Sequence, residues 1–132
     1  MVSYAQKCAA YFNIIKANPN ISANEIGRRY AGSAYGMKKQ DRNDFVKLAK
    51  DQLKQGEDFK KQLANSNLPK QTQAKMAKIT GRTAYKYAKN STRKAMKGKG
   101  PEVINSSVAD LKARTLNRYK PGKGDFIDFG YY

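Results

Sequence analysis

Between Ser66 and Gly100 the chain places ten cations and no acid: Lys70, Lys75, Lys78, Arg82, Lys86, Lys89, Arg93, Lys94, Lys97 and Lys99. Ammonium and guanidinium groups at this density do one kind of chemistry well, the neutralisation of a polyanion, with lysine acting as a point charge and arginine as a planar two-donor fork. The acid-free stretch extends from Phe59 to Pro101. Over all 132 residues, 27 Lys and Arg face 10 Asp and Glu, a net charge of +17. A small domain needs only a magnitude of roughly 2 to 8 for solubility. The excess implies nucleic acid as partner, DNA ahead of RNA, with an anionic membrane second.

Other chemistries lack their residues. Without His the chain has no ordinary general base and no imidazole metal ligand, and the single Cys8 builds neither a zinc site nor an intrachain disulfide. Cys8 is expected as a small core residue in a reducing setting, the cytoplasm or a particle interior. No G-x-x-x-x-G-K-[ST] run is present, and Lys120 to Asp125 resembles a phosphate loop only superficially. Asp128-Phe129-Gly130 spells the kinase metal-binding tripeptide without that fold's partner motifs. Asp125 and Asp128 read as solvated acids. The expectation is a protein that is not an enzyme and takes no cofactor, metal or small-molecule substrate. The membrane reading fails on detail, since no apolar run approaches the roughly 20 residues of a membrane span, and no membrane partner is expected. The first apolar stretch is broken by Gln6, Lys7 and Asn13, so no signal peptide is expected and secretion is not.

The elements that must position the cations read as helices. Val2 to Ala17 carries one apolar stripe of Tyr4, Cys8, Tyr11, Phe12 and Ile15, ended by Asn18-Pro19-Asn20. Ser22 and Glu25 have capping-box spacing, and Ile26 and Tyr30 lie on one face of the helix they open. Ala31-Gly32-Ser33 reads as a turn, and Ala34 to Lys39 as the start of another helix with Met37 inward. That helix is expected to continue through Phe45, Val46, Leu48, Ala49 and Leu53, to break or kink at Gly56, and to resume over Glu57 to Ala64.

Ser22 to Asp41, SANEIGRRYAGSAYGMKKQD, resembles the generic helix-turn-helix pattern E-I-A-R-R-L-G-V-S-x-x-T-V-x-R. Gly27 takes the small-residue position at the helix crossing, Met37 the buried Val or Ile, and Tyr30 the usual Leu. The turn glycine comes one place late, at Gly32, and Gly36 weakens the second helix by roughly 1 kcal/mol relative to Ala. The resemblance implies a mainly α domain of three helices. It presents Ser33, Ala34, Tyr35, Lys38 and Lys39 to DNA from the second helix, with Arg28, Arg29 and Arg42 near the phosphates. Ser33 is expected to offer its hydroxyl and backbone N–H to a phosphate.

Three regions follow: a helix-turn-helix-like domain at 1–65, a basic arm at 66–100, and a short helix with a docking tail at 101–132. Residues 1–65 hold 12 basic and 6 acidic side chains, so most of the charge lies beyond them. Pro69 suits the start of a helix over Lys70 to Lys97, roughly 40 Å long at 1.5 Å per residue, but Gly81 and Asn90-Ser91 suggest interruptions. Repulsion among like charges implies an arm that orders only against an anion, with Tyr85 and Tyr87 available to stack on bases. Ser107 to Arg118 is a last helix with Val108, Leu111 and Leu116 apolar. The tail, with Phe126, Ile127, Phe129, Tyr131 and Tyr132, suits docking into a partner subunit. The functional expectation is a non-enzymatic, virion-associated nucleic-acid-binding component, such as a bacteriophage internal or head protein. The alternatives are a structural subunit whose arm threads between neighbours, a ribosome-associated RNA-binding protein, or a small transcriptional regulator.

Overall fold

A computed structural model describes residues 2–96 and 107–118. Lys97, Lys99 and the aromatic docking tail lie outside the described residues. Five α-helices make up the fold: α1 (Tyr4–Ala17), α2 (Ala23–Tyr30), α3 (Lys39–Ala64), α4 (Lys70–Met96) and α5 (Val108–Arg118). The mainly α class expected from the sequence is what the chain adopts, with no strand among the described residues.

The first helix follows its sequence closely. Ser3 forms a full capping box with Gln6, its hydroxyl accepting the Gln6 N–H while the Gln6 side chain accepts the Ser3 N–H. Cys8, Tyr11, Phe12 and Ile15 are buried along one stripe, and Tyr4 packs half-buried at its end. At α2, Ser22 caps through its hydroxyl to the Glu25 N–H at 3.1 Å, but Glu25 does not complete the box: its carboxylate pairs with Arg28. Tyr11 stacks on Tyr30 at 5.1 Å between ring centroids and meets the edge of Phe45 at 6.5 Å, which fastens α1 to α2 and α3.

Two departures concern the long helices. α3 runs unbroken through Gly56, and Gly56 is buried rather than a hinge. α4 is likewise continuous across Gly81 and Asn90-Ser91, about 40 Å long at 1.5 Å per residue. It lies antiparallel on α3, with the Gln52–Lys60 part of α3 facing Thr80 to Ala84, and it also touches α1 and α5. The physical reason is the composition of its inner face. Thr80, Thr83, Ala84, Ala88, Ser91 and Thr92 are buried there, and such small side chains let two helix backbones approach closely. The hydroxyls of Thr80 and Thr92 carry little desolvation cost, because they donate to the carbonyls of Met76 and Ala88, four residues back. Tyr85 and Tyr4 complete the seam: the Tyr85 hydroxyl donates to the Ala5 carbonyl at 3.0 Å, and its ring meets Phe12 edge-on at 5.4 Å.

α5 is held from the side. Ser107 accepts the Asp110 N–H at 3.1 Å, and Val108 and Leu111 are buried against α3 and α4. The side chain of Leu116 lies outside the described residues.

Candidate nucleic-acid interface

The cations of α4 are ordered by the helix itself. Lys75, Lys78, Arg82, Lys86, Lys89 and Arg93 follow one another at spacings of three and four residues, which places them within about 80° of one face. Thr80, Ala84, Ala88 and Ser91 bury the opposite face. The row is about 27 Å long at 1.5 Å per residue and contains no acid. Lys89 lies 5.2 Å from the Tyr85 ring centroid and Arg93 5.4 Å from that of Tyr4, so two of the six are steadied by aromatic faces. The other four are exposed. Lys70, at the start of the helix, and the half-buried Lys94 fall outside the row.

The helix-turn-helix positions are arranged differently. Ala34 to Lys38 is not helical, and eight residues separate α2 from α3, where such a motif uses a turn of three or four. Gly32 turns the chain with φ at +73°, a left-handed conformation that suits glycine. Ser33 locks the bend that follows. Its hydroxyl donates to the Tyr30 carbonyl at 2.8 Å and accepts the Tyr35 N–H at 3.2 Å, while its own N–H donates to Tyr30. Both groups expected to meet a phosphate are therefore engaged within the loop. Tyr35 leans on Tyr30 with ring centroids 5.5 Å apart, Ala34 is exposed, and Lys38 and Lys39 stand at the start of α3 rather than along a groove-reading helix. Arg28 and Arg29 are exposed on the last turn of α2, Arg28 paired with Glu25. Arg42 lies over Gly27 and donates to Asn24 at 3.4 Å, acting as a clamp between α2 and α3. Tyr85, offered by the sequence as a base-stacking platform, is committed to Ala5, Phe12 and Lys89 instead.

Tertiary packing adds two cations that the sequence reading missed. Lys16 of α1 and Lys60 of α3 line a cleft of about 520 Å³ together with Lys78 and Arg82 of α4. Phe12, Asn13, Gly81 and Tyr85 complete its walls, and no acid lines it. No spacing rule connects Lys16 with Lys78. Only the crossing of α1 on α4 does.

Burial sets the protonation of the core. Cys8 is fully buried and its thiol is pushed up to about 11, while burial likewise raises Tyr4, Tyr11 and Tyr85. A neutral, inaccessible thiol is not a nucleophile at neutral pH. Among the described residues no cluster of His, Cys, Asp and Glu is suited to a metal, and no helix is long and apolar enough to cross a membrane. In comparisons with known proteins, the chain matches no protein-family model, no curated protein and no solved structure.

Proposed function

We propose that this protein is a non-enzymatic nucleic-acid-binding protein that holds its ligand by the phosphate backbone. The observation that carries the reading is the row of six cations on the outer face of α4. A partner with one negative charge per about 1.7 Å of duplex axis meets such a row along its whole length. Base reading has less support, because Ala34 to Lys38 is not helical and supplies no helix to enter a groove. Binding through phosphates suits a charge-neutralising component of a nucleoprotein particle, a virion interior among them, better than a sequence-selective regulator.

The test is a salt titration of the full chain on duplex DNA, single-stranded DNA and RNA. If all six cations meet duplex phosphates, log K falls with log salt at a slope of about −5. Each Lys→Gln change in the row reduces that slope by about one, with similar losses on unrelated sequences. Binding indifferent to salt, or binding that tracks one base sequence, overturns the reading.

A further inference from the structure

Glycine inside a helix needs a reason, because it gives up backbone entropy that alanine does not. Of the two buried or half-buried glycines on α3 and α4, Gly56 has one: a Cβ there would stand 3.2 Å from Thr80 Cγ2. Gly81 has none from packing. A Cβ at Gly81 would meet nothing within 4 Å, because the residue faces open space. That space opens onto two adjoining hollows that share Lys16, Lys60 and Gly81; in the one between α1, α3 and α4, Lys78 and Arg82 join them, so that cations converge from three helices.

We infer that this cleft seats one phosphodiester group of the bound strand, with Gly81 keeping its floor clear. The inference rests on the nucleic-acid reading above and assigns it a specific anchor. The Gly81 N–H is spent in the helix, so its contribution is room: without a side chain, an anion reaches the depth at which cations from three elements surround it. Asn13 adds a neutral donor at the rim. Lys78 and Arg82 belong both to the outer row and to the cleft, so a strand lying along α4 passes its mouth.

The distribution of acids selects this cleft over its neighbour. The adjoining hollow is larger, about 730 Å³, and five lysines line it, but Glu57 and Asp58 offset two of those charges and repel a phosphate, whereas no acid stands among the four cations lining the cleft. Lys60 pairs with Glu57 at 3.3 Å, yet both side chains are solvent-exposed, and such a pair holds its lysine weakly. Lys60 can therefore turn toward an anion.

The experiment measures binding of full-length wild type and of Gly81→Leu to a single-stranded oligonucleotide at several salt concentrations, with Lys86→Gln beside them. Gly81→Leu changes no charge, projects into open space, and replaces glycine by a strong helix former. Circular dichroism is expected to show unchanged helicity. The expected result is about a tenfold loss of affinity in Gly81→Leu, the size of one charge-assisted contact, with a shallower salt slope. Lys86, on the row but outside the cleft, reports the surface alone. If Gly81→Leu binds as wild type while Lys86→Gln binds more weakly, the cleft assignment is overturned and the phosphate-backbone reading stands. If wild type binds no nucleic acid, both fall. Should Gly81→Leu lose helicity, Lys16→Gln carries the same test, since Lys16 lies in the cleft but not on α4. A mononucleotide run alongside separates a free ligand from a strand. If Gly81→Leu abolishes its binding but leaves the oligonucleotide unaffected, the seat is not for a strand and the inference is overturned.

Discussion

Gly56 of α3 and Thr80 of α4 meet where the two longest helices cross, so closely that a methyl group at position 56 would lie 3.2 Å from Thr80 Cγ2. Thr80 has little freedom to withdraw, because its hydroxyl is bonded to the Met76 carbonyl at 2.7 Å and its side chain is buried. The residue that reads in the sequence as a helix breaker is thus a point of close packing between α3 and α4.

The two glycines of this hairpin are expected to respond in opposite senses. Gly56→Leu overpacks the crossing and should destabilise the fold by about 1–3 kcal/mol. Gly81→Ala meets open space and should stabilise it by about 0.5–1 kcal/mol, through helix propensity and a less flexible unfolded chain. Urea unfolding of both variants checks the pair, and a stabilised Gly56→Leu would show that α4 does not pack on α3 as described.

These positions also show how far the sequence can be read. The stripe of α1 was legible because large apolar residues recur at helical spacing: Cys8, Tyr11, Phe12 and Ile15 are all buried. The inner face of α4 was not, because its buried residues are threonine, serine and alanine, types that carry little hydropathy signal. Such residues become core only when a partner backbone comes close, and the Thr80 and Thr92 hydroxyls each find a carbonyl four residues back. The loop after α2 misled for a related reason. Ala34 to Lys39 has the residue types of a helix start, but Gly32 and the Ser33 hydroxyl close a local turn first. Among the interface residues, the cations of α4 were visible as composition, whereas the cleft with Lys16 and Lys60 required the tertiary fold.

Besides its apolar contacts, α5 is tied to α3 by a buried amide. Gln52, almost fully buried in α3, accepts the Val108 N–H at 2.9 Å across 56 positions of sequence. That N–H belongs to the first turn of α5, where no helical carbonyl is available to it. Gln52→Leu keeps the bulk but strands the donor, at a cost of about 1–3 kcal/mol. Hydrogen exchange should show the loss of protection concentrated in Val108 to Thr115, with α1 little changed. Loss spread evenly over all helices would mean that α5 is not held at this point.

Stability is expected to decline on the alkaline side. Burial pushes the Cys8 thiol from its ordinary 9.0 up to about 11, and raises Tyr4 as well. The folded state therefore holds protons that the unfolded chain releases, so the stability is fully present below about 9 and is lost as pH rises through 11. Denaturant midpoints from pH 7 to 11 check this, and Cys8→Ala should flatten part of the fall. A thiol reagent at pH 8 offers a second readout: Cys8 should react only as fast as the chain opens.

The last prediction separates the loop from the row. Lys38 and Lys39, the N-cap and first residue of α3, are exposed, and the Ala34–Met37 segment before them lacks the helical geometry that carries side chains into a major groove. If they contribute to binding, they do so as two further point charges. Lys38→Ala with Lys39→Ala should then weaken binding no more than Lys75→Gln with Lys86→Gln does, and equally on every duplex sequence. Binding of both double variants to two unrelated duplexes at one salt concentration checks the comparison. A loss confined to one duplex sequence would return base reading to the Ala34–Lys39 segment, since point charges on phosphate carry no sequence information.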